Sequence, residues 1–299
     1  MGTPEFAVPG LKILVENGYN VVAVITAPDK PQGRGQKLGI SPVKEYALSV
    51  GLSILQPEKL KNPEFIEQLQ SLNLDLGIVV AFRMLPEVIW QMPRLGTFNL
   101  HASLLPQYRG AAPIHWAIIN GEKETGLTTF FLKHEIDTGD LILQEKEPIS
   151  DIDTIGSLYE RLMNKGASVI LKTVKMIETD TVKPIPQPTL SNLKSAPKIF
   201  KEHCKIDWTK SADEIYNFVR GLNPFPGAYC FINGVYCKIY GVEKYADSKF
   251  GVGEFQVNTN TLSVGTGLGK INITALQLEG KKLMDIGPFL IGHKVTSIS

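Results

Sequence analysis

No stretch of this 299-residue sequence approaches the roughly 18 consecutive apolar residues that span a bilayer. Its first residues, with Pro4 and Glu5 so early, lack the basic region and apolar core of a secretory signal. Cysteine is scarce: Cys204, Cys230 and Cys237 form no C-x-x-C pair and no metal set with the five histidines. The expectation is therefore free thiols in a reducing cytoplasm, with no metal and no membrane. A strong charge of either sign is missing too. Against 30 Asp+Glu stand 31 Lys+Arg, a net +1 that by itself gives no support to a nucleic-acid partner. Internal repeats and low-complexity tracts are absent. With 43% hydrophobic and 20% charged residues, the chain has the composition of a globular protein rather than a disordered one.

At this length two domains are expected. Residues 1–182 carry 17 basic and 21 acidic side chains, net −4, whereas 183–299 carry 14 and 9, net +5. The basic second part suits a modest anion-binding surface, or is ordinary surface charge. Within 1–182, Val8, Leu11, Leu14 and Val15 form one stripe of a helix over residues 8–17, stopped by Gly18. The β-branched run from Val21 to Thr26 predicts a strand buried on both faces. Helices start at Ser41-Pro42 and Asn62-Pro63, each a cap followed by a first-turn proline. Further strands are predicted at Leu76 to Ala81, Thr97 to His101, Thr128 to Leu132 and Leu141 to Gln144. Ala111 to Asn120 and Thr154 to Thr179 read as helices. Strands alternating with helices predict an α/β, Rossmann-like domain with a mostly parallel sheet and a site at the strands' carboxyl ends.

Residues 183–201, with Pro184, Pro186, Pro188 and Pro197, read as a linker. In 202–299, Ser211 and Glu214 form a capping box for a helix to Leu222. The remainder is strand and turn, including an Asn233-Gly234 hairpin signal, and a small OB-like β-barrel is the economical closure. The cluster Gly265, Gly267, Gly269, Lys270 opens no helix, so it reads as a turn and not as a phosphate loop.

The chemistry concentrates at Phe98-Asn99-Leu100-His101-Ala102-Ser103-Leu104-Leu105-Pro106 and the acidic turn Asp137-Thr138-Gly139-Asp140. Asn99 and His101 are two apart, so on a strand both side chains leave the same face. A carboxamide beside an imidazole at a strand's end can polarise a carbonyl and move a proton. Asp137 could orient the imidazole, with Asp140 the second candidate. On the pair alone, two satisfied polar groups at a strand end remain an equally open reading.

The run from Phe98 to Ile142, with N-x-H-x-S-L-L-P, Arg109-Gly110, Ala111-Ala112-Pro113-Ile114 and D-T-G-D, resembles the formyltransferases that use 10-formyltetrahydrofolate. Gly2-Thr3-Pro4-Glu5-Phe6, Pro28-Asp29-Lys30-Pro31 and Gly33-Arg34-Gly35 narrow it to the branch whose acceptor is methionine esterified to tRNA. The resemblance covers essentially the whole chain. It implies that Asn99, His101 and Asp137 are catalytic and that Ser103, Leu104, Leu105 and Pro106 contact the folate donor. It also implies that the loop carrying Lys30, Arg34, Lys37 and Lys44 meets charged initiator tRNA, and that Phe6 faces the methionyl end, although Phe6 could equally be a core aromatic. The C-terminal domain would bind tRNA, and the protein would act as a monomer in translation initiation. Val80-Ala81-Phe82-Arg83 departs from the family pattern, which has glycine where Arg83 stands. In the relatives, Gly2-Thr3-Pro4 follows the first sheet strand, so the expectation is a reading frame beginning upstream with a short Ile/Val-rich run. Two other activities use the same trio: formylation of a small amine, such as glycinamide ribonucleotide or an amino-sugar nucleotide, and hydrolysis of the donor. Neither requires the basic loop or the second domain.

Overall fold

Four strands, Gly77–Val80, Thr97–His101, Glu124–Phe131 and Leu141–Pro148, lie in that order across one sheet. The computed structural model describes residues 1–32, 37–247 and 249–299, and these divide into two units. The first holds residues 1–109, 126–147 and 159–195. Gly77–Val80 and Thr97–His101 are parallel, with Val80 opposite Leu100, whereas Thr97–His101 meets Glu124–Phe131 antiparallel, with His101 opposite Thr128. A second parallel pair joins Val24–Ile25 to Ile54–Leu55. Gly2 stands between the two sheets: its N–H donates to the Ile25 carbonyl at 3.0 Å, and it bridges Val80 in parallel.

The helices start where the sequence places its caps. The Ser41 hydroxyl accepts from the Lys44 N–H ahead of Pro42–Ser49, and the Asn62 side chain accepts from the Glu64 N–H ahead of Pro63–Ser71. The long helix Ile155–Glu178 buries Leu162, Val169, Ile170, Val174 and Ile177, a 3.6-residue stripe. Gly166 lets that helix close on the sheet, since a Cβ there would stand 3.0 Å from a Leu100 methyl. Phe98 and Phe130 are fully buried, each worth about 1.5–3 kcal/mol of transfer from water.

Two outcomes differ from the sequence reading. The six-residue strand expected over Val21 to Thr26 is ladder-paired only at Val24–Ile25, while Val21, Val22 and Ala23 stay half-buried. The proline-rich segment read as linker is partly built into the first unit. Ile185 exchanges both backbone hydrogen bonds with Leu141, at 2.8 and 3.0 Å. Proline removes donors from a segment but leaves its carbonyls and the intervening N–H groups free to pair.

The second unit holds residues 110–125, 148–158 and 196–299. Its sheet is antiparallel, in the order Ala228–Ile232, Val235–Tyr245, Lys270–Leu278, Thr261–Gly265, Phe255–Asn258, with Met284–Asp285 added beside Lys270–Leu278. Asn233 and Gly234 both have positive φ, the geometry of the two-residue hairpin turn the sequence predicts. The helix Ala212–Leu222 carries the full Ser211/Glu214 capping box. Its Ile215, Val219 and Leu222 pack with Ile239, Ile271, Ile273 and Phe289 in the core of this unit. Thr266 to Gly269 is a turn. Its Thr266 hydroxyl bonds the Leu268 and Gly269 carbonyls, and Gly267 N–H bonds the Lys210 carbonyl.

Candidate active site

The strand Thr97–His101 is buried everywhere except at Asn99, which is half-buried. Period-two alternation puts Asn99 and His101 on one face, as the sequence predicts. The His101 side chain is 7% exposed and its Nε2 lies 2.9 Å from the Tyr108 carbonyl oxygen. A carbonyl has no proton to give, so Nε2 carries the hydrogen and donates. In the neutral ring this leaves Nδ1 as the unprotonated nitrogen, and Nδ1 faces the Asp137 carboxylate at 3.8 Å. Tyr108 and Asp137, which flank the ring on its two sides, both hold left-handed backbone, at φ 60° and 55°. A non-glycine residue in that region costs on the order of 1–3 kcal/mol, and such costs concentrate at functional sites. The buried Asn99 Oδ1 has no hydrogen-bond partner. A buried amide end left open on the imidazole's face is what a site for an incoming polar group requires.

The acidic turn is held from three directions. Gly139 passes so close to Phe131 that a Cβ would lie 1.6 Å from the Phe131 carbonyl oxygen, so only glycine fits. The Gln187 side-chain amide donates to the Asp137 and Gly139 carbonyls at 2.8 and 2.9 Å. Arg109 in turn donates to the Gln187 Oε1 through Nε and Nη2, at 3.1 and 2.6 Å. Asp140 has a different partner: the Lys133 ammonium at 2.7 Å. Of the two acidic candidates, Asp137 is the one at the imidazole.

The segment after the strand is tied down internally. Leu105-Pro106 is a cis peptide. The Ser103 hydroxyl is buried and donates to the Gln107 carbonyl at 2.6 Å, so it is engaged within the protein. Thr128 Oγ1 donates to the Ser103 carbonyl and accepts from the Leu105 N–H, while the Gln144 amide reaches both the Leu105 carbonyl and Thr128. Leu105 and Pro106 are buried and Leu104 is half-buried. Gln144, Thr128, Tyr108, Arg109 and Gln187 were not singled out from sequence as site residues. Gln144, a long amide following Leu141-Ile142-Leu143, was the one visible signal among them.

The remaining sequence candidates lie apart from the trio in their contacts. Phe6 is buried and meets the Tyr159 ring edge-on at 5.2 Å, which is core packing. Lys30 is exposed in the short strand Lys30–Gln32, which pairs with Lys37–Gly39. Arg34 and the side chain of Lys37 lie outside the described residues. Lys44 departs from the expectation of a loose basic loop. Its ammonium bonds Asp29 at 2.5 Å and Gln56 at 2.7 Å, and this hydrogen bonding holds the Asp29 carboxyl below its ordinary range. Arg83 clamps a neighbouring loop through the Glu58 and Pro57 carbonyls, which accounts for a bulky residue at that position.

An imidazole fixed at both nitrogens, with an open carboxamide beside it, can stabilise negative charge on a carbonyl oxygen and pass a proton to a carboxylate. Among the described residues, no group of three His, Cys, Asp or Glu is placed to hold a metal ion, and no helix is long and apolar enough to cross a membrane.

Family models for a formyl transferase and for a formyl transferase C-terminal domain match residues 1–174 and 198–294. A methionyl-tRNA formyltransferase of Phocaeicola vulgatus is 56% identical, over 99% of this chain and 95% of that protein. The methionyl-tRNA formyltransferase of Bacteroides thetaiotaomicron is 52% identical with the same coverage. Among solved structures, WlaRD, a sugar 3N-formyl transferase crystallised with dTDP and 5-N-formyl-THF, superposes with a TM-score of 0.69 at 24% identity, over 94% of this chain and 97% of that one. At that identity the likeness is one of fold. With more than half of its residues shared along nearly the whole length of such relatives, the chain belongs to the methionyl-tRNA formyltransferase family.

Proposed function

We propose that this protein transfers the formyl group of 10-formyltetrahydrofolate to the α-amino group of methionine carried on initiator tRNA. The observation that carries the reading is the His101 ring clamped between the Tyr108 carbonyl and the Asp137 carboxylate, beside the open Asn99 amide. The folate supplies the formyl group on a nitrogen that leaves. Asn99 and His101 supply N–H donors where negative charge develops on the formyl oxygen, each worth roughly 2.7–4 kcal/mol of barrier. Asp137 takes the proton that the attacking amine sheds, through the imidazole or a water, and the same relay returns one to the departing nitrogen. Ser103 to Pro106 offers apolar surface to the folate through Leu104, Leu105 and Pro106, while the Ser103 hydroxyl keeps that turn in shape. Phe6 acts by packing beneath the methionyl site.

Lys30, Arg34 and Lys37 contact phosphates of the acceptor end, and Lys44 anchors the base of their loop on Asp29. We assign residues 1–182 to catalysis, 183–201 to the connection and 202–299 to tRNA binding, which the positive charge of the second part supports. The register shifts at Gly241 in the eleven-residue strand Val235–Tyr245 support a sheet that bends toward an OB-like barrel. A monomer in the cytoplasm, where charged tRNA and folate meet, completes the reading.

Transfer of labelled formyl from 10-formyltetrahydrofolate, with charged initiator tRNA and glycinamide ribonucleotide offered together, tests it. Label on the tRNA supports the proposal. Label mainly on the ribonucleotide, or formate release without any acceptor, replaces it with the corresponding alternative.

A further inference from the structure

A cavity of about 560 Å³ lies inside the first unit between its two parallel sheet edges. One wall is Val21 to Ile25 and the other Leu76 to Ile78 with Val80, while Leu14, Ile170 and Val174 are among the side chains that close its faces. Both walls are backbone edges of parallel strands, and Val21, Val22, Ala23, Leu76 and Ile78 remain half-buried although they sit in the middle of the sheet. Met1 and Gly2 enter the gap at one end and pair with both edges. Gly2 N–H donates to the Ile25 carbonyl at 3.0 Å, Val80 N–H donates to the Met1 carbonyl at 2.9 Å, and the Met1 nitrogen donates to the Ile78 carbonyl at 2.7 Å. These are ladder positions of a strand parallel to its two neighbours.

We infer that this cavity is a strand site, filled by an extended apolar segment of about five residues that runs parallel to both edges and is joined to the Met1 nitrogen. Five residues of strand measure about 17 Å and take one 4.8 Å interstrand spacing, which matches the five-residue walls. The segment is apolar because both faces of the gap are lined by aliphatic side chains. Attachment at Met1 follows from the chemistry of its nitrogen. The amine is wholly buried, and burial lowers it to about 5. A peptide N–H in the same place makes the same bond to Ile78 and carries no charge to desolvate. A separate peptide ending there would bury its own carboxylate against that amine. With the segment in place the two sheets become one, and the edges that Val21 to Ala23 and Ile78 now present are satisfied.

Three forms test this: the 299-residue chain, the chain with five Ile/Val residues inserted between a new initiator methionine and Met1, and the same insertion made of Ser and Asn. A free Ile/Val peptide flanked by lysines is added to the first form as a fourth arm. The apolar insertion is expected to raise Tm by about 10 °C, an increment of several kcal/mol for a domain of this size. It is also expected to slow amide hydrogen exchange at Ala23 and Ile78 by at least tenfold, with the polar insertion changing neither. Equal effects of the two insertions, or none from either, overturn the inference. Stabilisation by the free peptide equal to that of the apolar insertion overturns the attachment to Met1. These readouts do not involve formyl transfer, so they stand apart from the proposed activity.

Discussion

The side-chain amide of Gln187 bonds the backbone carbonyls of Asp137 and Gly139 across 50 and 48 residues of sequence. The left-handed residue that faces His101 is thus pinned by a segment rich in proline and poor in periodicity. Arg109 saturates the other end of the same amide. Gln187→Ala leaves two carbonyls and a guanidinium short of partners, at about 1–3 kcal/mol for each buried group left unsatisfied. Its kcat/KM for charged tRNA is expected to fall about tenfold with a lowered urea midpoint, since misplacing a catalytic group by an ångström costs up to about 100-fold. Unchanged kcat/KM would show that the turn holds Asp137 without help.

Asp137 and Asp140 separate cleanly by partner. Asp137→Asn is expected to lose at least about 100-fold in turnover, because the carboxylate at the imidazole is gone. Asp140→Asn gives up an ion pair to a half-exposed lysine, worth about 0–1 kcal/mol, and is expected to keep activity within a few fold. Steady-state rates of the two variants decide it, and the reverse order would move the proton acceptor to Asp140.

Much of this site was legible because it depends on local rules. The two-residue spacing of Asn99 and His101 fixes their common face whatever the rest of the chain does. Choosing Asp137 over Asp140 was not a local matter. It follows from how Gly139 folds against Phe131. Tyr108 was invisible for a different reason: it acts through its carbonyl, which every residue carries. Lys44 was read by its charge alone, and the partner that captures it, Asp29, is brought close only by the fold. Val21 to Thr26 has the composition of a six-residue buried strand, yet only Val24–Ile25 is paired with Ile54–Leu55. Composition reports what a segment can join, and the ladder reports what stands beside it.

Neutralising Arg34 or Lys37 is expected to weaken charged-tRNA binding and to flatten the dependence of log K on log salt by about one unit for each phosphate that the loop no longer neutralises. Folate binding, followed separately by fluorescence, should be unchanged. Equal weakening of tRNA and folate binding would reassign this loop to the donor.

Burial raises the Cys237 thiol from its ordinary 9.0 to about 12 and pushes Cys230 up as well. Both are therefore neutral thiols in the folded protein and are expected to resist iodoacetamide at pH 8 until the protein is unfolded. The sign for stability follows. A folded value raised above the unfolded one means that stability is complete below about pH 9 and declines as the pH rises toward 12, because the unfolded chain releases those protons first. Melting curves between pH 8 and 10.5 should show this decline, reduced in a Cys230→Val, Cys237→Val double variant. Rapid alkylation of the native protein at either position would contradict the burial argument.

The most direct test of the site is single-turnover formyl transfer to charged initiator tRNA by the Asn99→Ala, His101→Ala double variant. Folding is checked by Tm, and donor binding is measured in parallel. The account predicts a drop of at least about a thousandfold, with Tm and folate affinity near those of the parent, because the donors for the developing oxyanion are removed from a strand end that stays in place. Near-parental turnover in that variant would contradict it.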